Sequence, residues 1–211
     1  MKVNKYIMKP LKSTETEVSL DSINNMSPKE AYDHACDVIG GRWLQGEHII
    51  VKDSECAYKY AADIIKGRWP EGEQAIAKDP NWAYCYALNI VMGRFAEGES
   101  IIAESTDWSC NYAFYIIDGR FTEAEPLIAK SVVWADWYAY EIIKDRWPEG
   151  EEAIAASQHV DLYLKRFFPN QKVTTKAELG EYEWSRLGLE GYFVNEELLK
   201  RPMSLLDMVI Q

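Results

Sequence analysis

Arginine stands at 42, 68, 94, 120 and 146, a spacing of 26 residues each time, and an aromatic follows every one: Trp43, Trp69, Phe95, Phe121 and Trp147. A fixed internal period means that each unit covers its apolar side against its neighbours, so the chain stacks and does not close around one centre. The length of the period then has to be read as local structure.

Asp53, Asp79, Ser105, Ser131 and Ser157 recur at the same place in the unit, and all have a side-chain oxygen that can accept from the open amides of a helix start. After them the apolar residues fall at helical spacing: Ala57, Tyr60, Ala61, Ile64, Ile65; Ala83, Tyr86, Ala87, Ile90, Val91; Ala135, Tyr138, Ala139, Ile142, Ile143. Gly41, Gly67, Gly93 and Gly119 stand where a left-handed residue would end that helix, with Asp145 in the last unit. A shorter helix follows, as in Trp69-Pro70-Glu71-Gly72-Glu73-Gln74-Ala75-Ile76-Ala77, with proline at its start and carboxylates in its first turn. Gly46, Gly72, Gly98, Ala124 and Gly150 share one position on it, which points to a need for small size and not for positive φ. The expected fold is an all-α solenoid of about five 26-residue helix-turn-helix repeats with a non-repeat helical C-terminal cap.

Glu47, Glu73, Glu99, Glu125 and Glu151 also repeat without variation, on the stripe that faces the apolar interface. A carboxylate there needs a partner, and the only cation with the same period is Arg42, Arg68, Arg94, Arg120 and Arg146. We expect a structural ladder of Arg–Glu pairs, because a catalytic pair has no reason to occur five times.

The expected division is 1–26 as an N-terminal arm or cap, 27–166 as the array and 167–211 as a C-terminal helical capping segment. Ser27-Pro28-Lys29-Glu30 reads as a capped start, whereas after Ser157 the pattern decays, with Leu162, Lys165 and Arg166 out of keeping with earlier units. In the tail, Thr175-x-x-Glu178 looks like a capping box, Asn195 could open another helix, and the apolar run 203–210 could cap the stack, dock a partner or mediate self-association.

The net charge of −11 sits in the repeats, since residues 27–165 carry 24 acidic against 13 basic side chains. Such a surface repels phosphate backbones, so direct nucleic-acid binding is not expected, and a basic protein partner would be drawn in. No run of apolar residues is long enough for a membrane span, and no leader pattern is present, so a cytoplasmic protein is expected. Cys36, Cys56, Cys85 and Cys110 fall at unlike points of the repeat, without metal-ligand spacing against His34, His48 or His159; they read as free thiols in a reducing compartment. We find no signature of a catalytic, metal or cofactor site.

Because the repeating residues serve stacking, recognition is sought among those that vary. Outward positions of the long helix read Lys59, Cys85, Asn111, Trp137 and Asp63, Asn89, Tyr115, Glu141. Tyr115 and Trp137, with Trp134, Tyr140 and Glu141 close by, are the candidate partner-binding residues.

Gly67-Arg68-Trp69-Pro70-Glu71-Gly72-Glu73, Ala75-Ile76-Ala77-Lys78-Asp79-Pro80 and Ala83-Tyr84-Cys85-Tyr86-Ala87 resemble the short helical repeats of uncharacterised proteins encoded by tailed bacteriophages, over residues 31–157. The resemblance implies a helical stack and no defined activity; a phage origin would place the chain in the host cytoplasm and favour an inhibitor of a host enzyme or defence complex. Two other functions are compatible with the residues: an acidic nucleic-acid mimic occupying a basic groove, and a structural virion or assembly component.

Overall fold

The computed structural model describes residues 20–169 together with 173–175 and 193–195. Each unit is a long helix followed by a short one. The long helices begin as α2 (Pro28–His34), α4 (Ser54–Lys59), α6 (Pro80–Tyr86), α8 (Thr106–Tyr112) and α10 (Ala135–Tyr138). The short ones are α3 (Leu44–Ile50), α5 (Pro70–Ile76), α7 (Ala96–Ile102), α9 (Glu125–Ile128) and α11 (Glu151–Ala155). Each long helix packs on its own short partner, and α2, α4, α6 and α8 lie against one another in turn. This is the all-helical repeat stack that the period implies.

Two terminal helices extend it. α1 (Leu20–Asn24) packs on α3, and its Ile23 is buried 26 positions before Ile49, so it is a shortened short helix of a preceding unit. The array therefore reaches back beyond Ser27. At the other end α12 (Val160–Phe167) packs on α11 as one more long helix.

The helix starts follow their capping residues. Asp53 accepts from Cys56 N, Asp79 from Asn81 N and Trp82 N, and Ser27 and Glu30 form a capping box. Ser131 and Ser157 accept at 3.2 Å from Trp134 N and His159 N. Ser105 makes no such bond, and nothing in the structure explains the exception.

The long helices do not end as the period suggests. Each passes into a π-helical segment: Ala35–Ile39, Tyr60–Ile65, Ala87–Val91, Ala113–Ile117 and Ala139–Ile143. A π turn holds one more residue than an α turn. Positions counted at the α period thus swing off the buried line, and Ile64, Ile65, Ile90, Val91, Ile142 and Ile143 are only half-buried. The left-handed residue is also displaced. It is Gly40, Lys66, Met92, Asp118 or Lys144, one position before Gly41, Gly67, Gly93, Gly119 and Asp145. The wide turn closes early because one carbonyl, that of Ala35, Ala61, Ala87 or Ala113, accepts from the left-handed residue and again from the glycine after it.

Four of those left-handed residues carry a Cβ, which costs about 1–2 kcal/mol in that conformation. Met92 is 82% exposed, so its side chain gives little contact in return. Met92→Gly is expected to stabilise the chain by about 1 kcal/mol, read as a rise of about 2–4 °C in thermal melting.

Beyond the array, Val173–Thr175 (β1) and Phe193–Asn195 (β2) pair antiparallel, with Val173 opposite Asn195 and Thr175 opposite Phe193. Thr175 and Asn195, expected as helix starts in a helical cap, lie instead in this ladder. The β-branched run Val173-Thr174-Thr175 favours extended backbone over helix. Residues 178–184, 198–199 and 203–210, expected as helices and an apolar cap, lie outside the described residues, as do residues 1–19 of the arm.

Candidate functional site

The periodic residues form one rung per unit. Arg42, Arg68, Arg94, Arg120 and Arg146 each donate through Nε and Nη2 to both oxygens of the glutamate five positions on, for example Arg94 to Glu99 at 2.7 and 2.7 Å. The pairing lies within a unit. What crosses to the next unit is a tyrosine: the hydroxyls of Tyr60, Tyr86, Tyr112, Tyr138 and Tyr163 donate to Glu47, Glu73, Glu99, Glu125 and Glu151. Those hydroxyls also accept from the backbone N–H of Trp43, Trp69, Phe95, Phe121 and Trp147 at 2.7–2.8 Å.

Each rung thus satisfies a carboxylate and an amide at the interface, where an unpaired polar group would be costly. The Arg94 guanidinium and the Tyr112 hydroxyl hold the Glu99 carboxyl below its usual range, against the opposing effect of burial. Burial pushes the Tyr60 and Tyr86 hydroxyls up to about 12, so the rungs hold neutral tyrosine.

Tyr163 belongs to the same series at one residue less, 25 after Tyr138. A single deletion therefore accounts for the apparent decay after Ser157. Leu162, Lys165 and Arg166 look out of place only when 26 is counted through it.

The same correction explains a second series. Tyr58 stacks on Trp82 with centroids 5.1 Å apart, and Tyr84 meets Trp108 at 5.1 Å. Two units further on, the equivalents of Tyr84 and Trp108, after the deletion, are Asp136 and His159, with Nδ1 2.6 Å from Asp136 Oδ2. Asp136 Oδ1 is buried with no hydrogen-bond partner. Smaller polar groups stand where two aromatics fill earlier interfaces, and a groove of about 580 Å³ opens between α10 and α12.

The candidate recognition residues gather beside it. Tyr115, 62% exposed, meets the edge of Phe114 at 5.0 Å; Phe114 meets Trp137 at 5.6 Å; Trp137 meets Trp134 edge-on at 5.6 Å. Trp134 Nε1 donates to Asp107. Trp134, Trp137 and Tyr140 line the groove, and the Arg166 guanidinium lies 3.8 Å from the Tyr140 ring centroid. Glu141 is not brought into this set. It is half-buried at the position where Asp63 accepts from Tyr32 and Asn89 donates to Tyr58, but the residue opposite it is Cys110.

Phe114 was not singled out by sequence. Its signal lies in the series Cys36, Ala62, Leu88, Phe114, Tyr140, which grows in size from Ala62 onward. Leu162, Lys165, Arg166 and His159 were hidden by the deletion.

The four cysteines are free thiols, and burial pushes Cys56 and Cys110 up to about 12, which keeps them protonated at neutral pH. Among the described residues no cluster of three His, Cys, Asp or Glu could hold a metal, and no helix is long and apolar enough to cross a membrane. No family model, curated protein or solved structure matches the chain, so its fold and its groove carry the functional argument.

Proposed function

We propose that the chain is a non-enzymatic protein-binding solenoid whose recognition surface is the aromatic run Tyr115, Phe114, Trp137, Trp134 and Tyr140. The observation that carries this reading is the continuity of the exposed rings of Tyr115, Phe114 and Tyr140, through the half-buried Trp137 and Trp134, with the α10–α12 groove at the end of the array where varied side chains leave room. Exposed rings beside a pocket are the usual anchors of protein interfaces. The net charge of −11 favours a partner with basic surface around that anchor. By the resemblance to phage repeat proteins, the partner is a host enzyme or defence complex in a bacterial cytoplasm.

Nucleic-acid mimicry has less support. The regularly spaced carboxylates Glu71, Glu97, Glu123 and Glu149 are interleaved with the rung arginines, Arg42 lying 3.6 Å from Glu71 and the other three pairs sharing the same attraction. A row of alternating sign is a poor imitation of a phosphate backbone.

Affinity purification from bacterial lysate tests the proposal. The parent chain should retain one stoichiometric protein, and Trp137→Ala should weaken that complex at least about tenfold at a temperature where its circular dichroism spectrum matches that of the parent. Dependence on salt should be shallow. Absence of a stoichiometric partner, or a steep salt dependence indifferent to Trp137, would overturn the reading in favour of an assembly component or a mimic respectively.

A further inference from the structure

We propose that the groove between α10 and α12 is the seat of the chain's own apolar segment Met203–Ile210, with Asp207 set against Lys165 and Arg166. This rests on the groove being a binding surface and adds that the chain supplies an occupant which a partner must displace.

Three observations lead there. The groove leaves large apolar side chains open to water: Val133 is 71% exposed and Leu162 61%, beside the half-exposed Tyr140. Met203, Leu205, Leu206, Met208, Val209 and Ile210 offer apolar groups of the kind that would cover such a surface.

Connectivity permits it. α12 ends at Phe167, and the β1–β2 pairing sets Asn195 opposite Val173, six positions later. Residue 203 is eight positions beyond Asn195, a reach of up to roughly 25 Å when extended. The pairing thus leaves residue 203 on a tether of roughly 50 Å or less from the end of α12, long enough to reach the groove.

Charge selects this segment. Lys165 and Arg166 rim the groove, where Asp136 is already faced by His159, and Lys165 has no ion-pair partner among the described residues. The single ionisable group of 203–210 is Asp207, of the complementary sign. The other apolar-bearing terminus carries Lys2, Lys5, Lys9 and Lys12 and would set like charges together.

Carbodiimide coupling of the full-length chain, as an equal mixture of unlabelled and ¹⁵N-labelled protein, tests this by peptide mass mapping. The expected product is a Lys165–Asp207 amide joining peptides of the same isotope, formed alongside the Lys29–Asp33 amide, whose groups stand 2.6 Å apart. L206S/V209S should cut its yield at least fivefold while leaving Lys29–Asp33 coupling intact. Mixed-isotope pairs would mean that a second copy fills the groove, and no 165–207 product while Lys29 couples would mean that it is not this segment's seat; either result overturns the proposal. If the amide forms but Trp137→Ala leaves partner capture unchanged, the proposed function fails and the seat stands; the opposite pattern separates them the other way.

Discussion

Tyr112→Ala is expected to lower stability by about 4 kcal/mol, the upper range for truncating a buried aromatic. Tyr112 is fully buried in the middle of the array and packs 5.3 Å from Phe121 in its own unit. Its hydroxyl reaches back 17 positions to Phe95 N and 13 positions to Glu99. Tyr112→Phe keeps the ring and removes only the hydroxyl, leaving a buried amide unpaired and Glu99 short of a donor, so it should cost about 2 kcal/mol of the total. Urea unfolding followed by far-UV circular dichroism measures both. In a stack, stability is the sum of unit and interface contributions, so weakening one central interface should also divide the transition into two steps. A Tyr112→Phe variant as stable as the parent would show that the rungs set register without contributing stability.

Gly72→Ala should cost about 3 kcal/mol. A Cβ at Gly72 would lie 2.1 Å from Trp69 Cε3, and the indole, 1% exposed, has no open direction in which to move. Gly46, Gly98 and Gly150 face Trp43, Phe95 and Trp147 in the same way. The unit that carries Ala124 shows the alternative: residues 122–124 form a plain turn, whereas Gly72 lies inside α5 and Gly150 ends a 3-10 turn that begins at Pro148. Ala124→Gly should therefore be close to neutral. Trp69→Phe combined with Gly72→Ala should recover part of the loss, since the two positions are coupled through one contact. Equal losses at 72 and 124 in denaturant titrations would refute the ring-over-glycine account.

Much of this was open to inspection in the residues. The 26-residue period dictates a stack, because side chains that recur at fixed spacing must meet equivalent surroundings. The invariant glutamates required partners, and the arginines were the only cations in register with them. The need for small size at Gly72 and its equivalents was also legible, although the ring that demands it comes from three positions earlier and not from a neighbouring helix.

What escaped the sequence depends on distances between residues far apart along the chain. Tyr60 and its equivalents read as members of an apolar stripe, and only the packing of one unit on the next brings their hydroxyls to a carboxylate and an amide. The π-helical ends were invisible, because both helix types draw on the same residues and the choice is made by which carbonyl can accept twice. The deletion before Tyr163 masked the last repeat, and with it the groove where Asp136 and His159 stand in place of two rings. Period and pairing chemistry are local or repeating properties, so one dimension suffices to read them; register across an interface, and the empty volume it leaves, exist only once the helices are set side by side.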